Sequence, residues 1–282
     1  MSIDSLRSFT IGTHTVPRFL YGTAWKEDDT ARLTTLALAA GFRGIDTANQ
    51  RKHYHEAGVG SALGASKIAR AELFIQTKFT SQGGQDHRLP YDAMADAGTQ
   101  VLQSFARSLE HLGVDYIDSY VLHGPTTRSG LAPYDREVWR AMESLAVAGK
   151  ARLLGVSNVT LDQLERLCAQ AQVQPSFVQN RCYARTGWDR EVRAFCRAHG
   201  IVYQGFSLLT ANRAELQMPR VLALAARIGR TPAQLVFRYA MQVGMQPLTG
   251  TTSDAHMRED LASYDFELSD DDVETIDDIA GA

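Results

Sequence analysis

Four side chains in the first half of this 282-residue chain could together manage a proton and a growing negative charge: Asp46, Tyr54, Lys78 and His123. Asp46 closes the run FRGID, Lys78 stands at the end of LFIQTK, and His123 follows SYVL, so three ionisable groups each terminate an apolar run. Tyr54 lies in the loop after Asp46. Hydride addition to a carbonyl is a reaction that such a set suits, because the charge built on oxygen must be met by a proton donor or a hydrogen bond. A free phenol, with a pKa of about 10, is a poor acid at neutral pH. An ammonium such as Lys78 beside Tyr54 favours the phenolate and lowers that value. Asp46 would keep Lys78 charged, and a neutral His123 would orient the carbonyl oxygen. Singly, each has a plainer reading: a structural ion pair, a surface aromatic, a core histidine. Their order and placement argue for chemistry.

The elements that must hold these residues are legible as runs. Strand candidates begin at Pro17 (PRFLYGT), Phe42 (FRGIDTA), Leu73 (LFIQTKF), Tyr116 (YIDSYVLH), Ala151 (ARLLGVSN), Ser176 (SFVQNRC), Ile201 (IVYQGFS) and Met245 (MQPLTGT). Helical spacing separates them. Leu161, Leu164, Leu167 and Cys168 form one stripe behind Thr160 and Gln163, which have capping-box spacing. Thr231-Pro232 puts proline where a first helical turn accepts it, and Ser269 with Asp272 opens a last acidic helix. Strands alternating with helices imply parallel pairing, and eight such units close a (β/α)8 TIM barrel whose site lies at the strand ends. A doubly wound open sheet is the rival, but no strand here is followed by G-x-G-x-x-G. No linker or low-complexity stretch divides residues 1–282, which therefore read as a single barrel domain.

Composition excludes several classes. The formal net charge is −3 and no Lys/Arg run offers a basic face, which argues against nucleic-acid or membrane-surface partners. Cys168, Cys182 and Cys196 are an odd set without C-x-x-C spacing, so reduced thiols in a cytoplasmic protein are expected. The polar N-terminus lacks a signal-peptide core, and no run approaches the ~20 apolar residues of a membrane span. The eight histidines show no H-x-x-x-H or H-E-x-x-H pair, so no metal is implied.

GFRGIDTA followed by Glu56-Ala57-Gly58-Val59-Gly60 resembles the G-[YF]-R-x-[IL]-D-T-A…E-x-x-V-G signature of the aldo-keto reductase family. FIQTKF is similar to its lysine strand, SYVLHGP to its histidine strand, GKARLLGVSN to its G-K-I-R-x-I-G-V-S-N segment, and FCRAHGIVYQGFSLL to the stretch before its nicotinamide-stacking residue. The likeness runs from the hairpin-like SFTIGTHTVPRFLYGTA, implying an N-terminal β-hairpin, to Ile279. It implies reduction of an aldehyde or ketone by NADPH or NADH, with Asp46, Tyr54, Lys78 and His123 catalytic. Ser157, Asn158 and Gln179 would hold the nicotinamide carboxamide, Phe206 would stack on its ring, and Ser207 and Leu209 would line the pyrophosphate path. Ser157 and Asn158 also suit capping of the helix that follows. A monomer is the default the family implies.

Three departures stand out. NQRKH lengthens the tyrosine loop, so that Tyr54 precedes Glu56 by two residues and His53 takes the usual tyrosine slot; Lys52 and His53 compete for the position. Phe206 replaces a common tyrosine, which stacking tolerates. In the cofactor clamp, aligned on Glu259, Gly250 holds the lysine slot and His256 the arginine slot. Arg258 is a candidate replacement, while Thr251, Thr252 and Ser253 offer only neutral bonds in place of charge-assisted ones. The choice between NADPH and NADH stays open. Trp25, Phe79 and His123 are expected at the substrate mouth, with Gly124 leaving room where relatives carry tryptophan, and Trp188 lies either at the rim or in the core. Two other functions compete: a nicotinamide-binding regulatory subunit with little turnover, and a lyase using Lys78 as a Schiff-base amine. Protonation of Lys78 by its neighbour Asp46 disfavours the lyase.

Overall fold

The computed structural model describes residues 7–280. The polar start of the chain, residues 1–6, lies outside the described residues. The hairpin comes first. Strand β1 (Ser8–Ile11) and β2 (His14–Pro17) pair antiparallel with Ile11 opposite His14, a two-residue turn in which Gly12 takes φ 57°. Glycine reaches that left-handed geometry without steric cost.

Eight strands then close a parallel barrel: β3 (Leu20–Gly22), β4 (Gly44–Asp46), β5 (Phe74–Phe79), β6 (Ile117–Leu122), β7 (Ala151–Ser157), β8 (Phe177–Arg181), β9 (Val202–Phe206) and β10 (Met245–Thr249). Each pairs with the next, and β10 returns to β3, with Leu248 opposite Leu20. Closure removes the open-sheet alternative. Every strand run expected from the sequence forms one of these strands. All eight point the same way, so their C-terminal ends share one mouth.

Helices cover the outside: α1 (Thr30–Ala40), α2 (Glu56–Ala65), α3 (Ala97–Leu112), α4 (Pro133–Val147), α5 (Leu161–Gln170), α6 (Arg190–Ala198), α7 (Pro219–Ile228), α8 (Pro232–Gln242), α9 (Asp254–Leu261) and α10 (Asp270–Asp277). The spacing expected to cap α5 and α10 forms boxes, and α8, whose first turn carries the expected proline, has one as well, each hydroxyl accepting from the backbone N–H three residues on. Gly60 lets α2 lie against α3, since a Cβ there would meet the His111 carbonyl oxygen at 1.9 Å. That contact fixes the helix carrying Glu56, directly after the tyrosine loop.

Side chains alternate across each strand. On β5, Phe74 joins Val16, Leu20, Leu153, Phe177 and Leu248 in an inner cluster, against which Phe9 and Ile11 of the hairpin pack. Ile75 and Phe79 instead belong to the larger core between barrel and helices. Thus one end of the barrel interior is apolar and stoppered, and the polar interior residues Gln76 and Lys78 lie toward the mouth.

Candidate functional site

At the ends of β4 and β5, Lys78 Nζ donates to both carboxylate oxygens of Asp46, at 2.7 and 2.8 Å, and to the Thr47 carbonyl at 2.8 Å. An ammonium has three protons, and these three acceptors use them all. Asp46 Oδ1 also accepts from Gln76 Nε2 at 2.7 Å and Gln179 Nε2 at 3.0 Å. The pair is almost wholly out of water, with Lys78 at 0% exposure and Asp46 at 3%. Burial draws the Lys78 ammonium below the ordinary lysine value, and the Asp46 carboxylate opposes that fall. Such pairs gain enough attraction to offset desolvation only when their remaining bonds are satisfied.

Tyr54 is set over this pair by its own loop. Backbone bonds from Tyr54 and His53 to the Gln50 carbonyl, at 2.9 and 3.1 Å, wind the inserted residues into a turn. Gln85 Nε2 to the Asn49 carbonyl, at 2.8 Å, ties that turn to the loop after β5. The Tyr54 ring has Lys78 Nζ 5.3 Å from its centroid and meets the His123 ring edge-on at 5.9 Å. His53 instead lies against Trp25, with ring centroids 3.9 Å apart and planes tilted by 36°. The longer loop thus brings Tyr54, and not His53, to the pair. One electrostatic expectation is overturned: the Tyr54 phenol is pushed well above its usual value, by burial first and by the Asp46 carboxylate second. Asp46 balances the Lys78 charge, so no uncompensated cation is left to favour phenolate.

His123 follows β6. Its Nδ1 lies 2.7 Å from Thr80 Oγ1, and Asn158 Nδ2 donates to its carbonyl at 2.8 Å. Burial, then the charges of Lys78 and His53, lower the imidazole to about 3 from its ordinary 6.5. The ring is neutral at neutral pH. Of its two tautomers, the one in which the Thr80 hydroxyl donates to Nδ1 keeps Nε2–H as a donor. The depressed value carries a stability prediction. From pH 6.5 down to about 3 the unfolded chain binds a proton here that the native chain does not, so stability is lost as pH falls through that window. His123→Gln is expected to flatten the acid-side fall of Tm, and an unchanged slope would show that the imidazole does not resist protonation.

The residues assigned by resemblance to a cofactor follow on the same mouth. Ser157 Oγ donates to the Gln179 carbonyl at 2.6 Å. Gln179 directs Nε2 to Asp46 and to Gln204 Oε1, which keeps Oε1 available as an acceptor. Asn158 is exposed and adopts φ 54°, and Ser207 adopts φ 57°. Left-handed backbone at two non-glycine residues is strain of the sort that concentrates at ligand sites. Phe206, Ser207 and Leu209 are half-buried around the end of β9.

Across β10 the arrangement changes. Tyr21 donates its hydroxyl to the Thr251 carbonyl at 2.9 Å. Arg258 and Glu259 are exposed on α9, and Arg258 is engaged by Asp254 at 3.1 Å, one turn back on the helix. A cation does reach this edge from elsewhere. Lys26, in the loop after β3, donates Nζ to the Gly250 carbonyl at 2.6 Å and would lie 3.9 Å from a Cβ at Gly250. It is 6% exposed, and burial lowers it to about 8, with Asp29 opposing the fall.

Two of the three residues expected at the substrate mouth are at the barrel's open end. His123 is one; Trp25, 71% exposed with φ 62°, is the other. Phe79 is a correction. It is 0% exposed and packs on Tyr91 at 5.6 Å in the helix-facing core. Alternation along β5 puts Gln76 and Lys78 inside the barrel and Phe79 outside, so Thr80 is the next residue able to face the mouth. Trp188 is core, with 0% exposure and its indole N–H bonded to the Ile276 carbonyl at 3.0 Å. Sequence reasoning passed over Thr80, Lys26, Gln76 and Gln204. Period two counted back from Lys78 identifies Gln76 and, counted forward, Thr80; no local signal marks Lys26.

The model of the aldo/keto reductase family matches residues 10–280. A glyoxal reductase from Bacillus subtilis (strain 168) is 32% identical over 242 residues, covering 86% of this chain and 80% of its own length. An aldo-keto reductase from Mycolicibacterium vanbaalenii is 32% identical over 266 residues, covering 94% and 88%. The crystal structure of an aldo/keto reductase from Brucella melitensis superposes with a TM-score of 0.83 at 28% identity, covering 96% of this chain and 98% of that one. With the family model spanning nearly every described residue and the barrel matching a solved member, this chain belongs to the aldo/keto reductase family and is an oxidoreductase of carbonyl compounds.

Proposed function

We propose that this protein reduces small aldehydes and ketones at the barrel mouth, using a nicotinamide dinucleotide, with Tyr54 as proton donor. One observation carries the reading: the Tyr54 ring and the His123 imidazole meet edge to face beside a buried, fully bonded Lys78–Asp46 pair. The cofactor, when bound, supplies hydride. His123 Nε2–H holds the substrate oxygen, and Tyr54 Oη–H gives it a proton. An alkoxide is a stronger base than a phenolate, so a phenol kept protonated by burial still serves as donor. Lys78 and Asp46 fix the ring from below. The residues present fit a dinucleotide: Asn158 and Gln179 offer amides for a carboxamide, Phe206 a ring face, and Ser207 and Leu209 the path beyond. Thr251 and Glu259 flank its far end.

Arg258 is held by Asp254, so Lys26 is the cation better placed to meet a dinucleotide phosphate near Gly250. Lys26→Met is expected to weaken NADPH binding about ten- to a hundredfold, the worth of a charge-assisted bond. In the wild type, affinity should fall as pH rises through about 8, where the free ammonium loses its proton. Tryptophan-fluorescence titration measures both, and a pH-independent Kd would remove Lys26 from the site. NADH titrated alongside gives the cofactor preference.

The name of the Bacillus subtilis relative makes small reactive aldehydes the first substrates to try. Oxidation of reduced nicotinamide in step with aldehyde loss tests the reading. The second reading, a cofactor-binding regulatory subunit, draws on one observation: Lys78 spends all three protons on Asp46 and Thr47 and none on Tyr54. Tight cofactor binding without turnover would favour it.

A further inference from the structure

Below the Asp46–Lys78 pair, four glutamines from four strands meet inside the barrel: Gln76 on β5, Gln179 on β8, Gln204 on β9 and Gln246 on β10. None is more than 3% exposed. Their amides form a directed chain. At one end the Pro17 carbonyl can only accept, so Gln246 turns Nε2 to it and Oε1 to Gln204. Gln204 Nε2 donates to Gln246 Oε1 at 2.9 Å and to Gln76 Oε1 at 3.1 Å. Gln204 Oε1 accepts from Gln76 Nε2 at 2.8 Å and from Gln179 Nε2 at 3.0 Å. The second amide proton of each of those two goes to Asp46 Oδ1. Both ends of the chain are acceptors only, and a flip of any amide would set nitrogen against nitrogen or oxygen against oxygen.

We propose that Gln204, whose amide bonds to Gln76, Gln179 and Gln246 and to neither Asp46 nor Lys78, is a positioning residue for that pair, acting through Gln76 and Gln179. By accepting one proton from each amide it turns the other onto Asp46 Oδ1, and so holds the carboxylate in the orientation that offers both oxygens to Lys78. A buried network of this kind has its effect as a unit, because each member's orientation depends on the next. The groups facing Lys78 are Asp46, Glu56, His123, the Tyr54 ring and the Thr47 carbonyl. Of these, Asp46 is the main one opposing the effect of burial on the ammonium. Loosening Asp46 therefore makes Lys78 give up its proton more readily.

The kinetic consequence rests on the reductase reading, but the primary measurement does not. In the full chain, labelled with 15N-lysine, the Lys78 Nζ resonance is followed against pH in wild type, Gln204→Met, Gln76→Met and the double variant. Gln204→Met is expected to lower the pH at which Lys78 titrates by about one unit, a modest shift on the scale of buried groups. Turnover of an aldehyde should then fall selectively on the alkaline side. Gln76→Met should move the titration in the same direction, and the double variant should fall short of the sum, since both changes act through one carboxylate. An unshifted Lys78 titration in folded Gln204→Met overturns the proposal. If that variant does not fold, the same absence of shift in Gln76→Met overturns it. Should the wild type bind cofactor and reduce no carbonyl, the reductase reading fails, while the Lys78 titration still decides the role of Gln204.

Discussion

Tyr54→Phe is expected to lower kcat/KM for an activated aldehyde by about 10²- to 10⁴-fold, the range typical of a positioned general acid. Cofactor affinity and Tm should stay close to wild type. The phenyl ring keeps the edge-on contact with His123 and the face toward Lys78, so only the hydroxyl is lost. Because burial and Asp46 hold the phenol protonated, wild-type turnover should not fall through tyrosine ionisation at neutral or mildly alkaline pH. Stopped-flow oxidation of reduced nicotinamide, with wild type and variant under the same conditions, measures the effect. Retention of most of the activity would move the proton donor elsewhere, and His53, whose ring lies against Trp25, would be the next group to replace.

Lys78→Met should cost about 3–5 kcal/mol of stability, the penalty for leaving one member of a buried ion pair without its partner. The Asp46 carboxylate would keep Gln76 and Gln179 as donors but no compensating cation, at 3% exposure. Urea denaturation of wild type and variant gives the difference. Removing both charges, as in Asp46→Leu with Lys78→Met, should recover much of that loss while restoring no turnover. If the single variant were as stable as wild type, the ammonium with its three hydrogen bonds would contribute nothing net to the fold. Recovery of stability without activity would separate what the pair does for the fold from what it does for the chemistry.

Much of the site could be read before the fold was known because its members end strands. In a parallel barrel every strand C-terminus faces one mouth, so a polar residue closing an apolar run is brought to the same place as the others. That reasoning places Asp46, Lys78 and His123 at strand ends directly, and with the family resemblance it adds Ser157, Asn158, Gln179 and Phe206 as candidates on the same mouth. It failed at Phe79 for a local reason. From the sequence, Phe79 is expected in a loop at the mouth, whereas it is the last residue of β5, where alternation sends it to the opposite face from Lys78 and it packs against Tyr91. It also misjudged the tyrosine's environment. Proximity to Lys78 suggested a lowered phenol, but the direct bonds from Lys78 to Asp46 cancel that charge, and burial then dominates.

The amino-acid sequence by itself determined the eight strands, the capped helices between them and the family, because propensity, period and capping act within a few residues. Only the tertiary structure decided which distant groups meet at and below the mouth. Lys26 meets Gly250 across 224 residues of chain, and Gln76 meets Gln204 across 128. Those contacts exist because β10 closes onto β3 and because side chains from β5, β8, β9 and β10 converge inside the closed barrel. No local pattern encodes a partner so far away; closing the barrel makes distant strands neighbours.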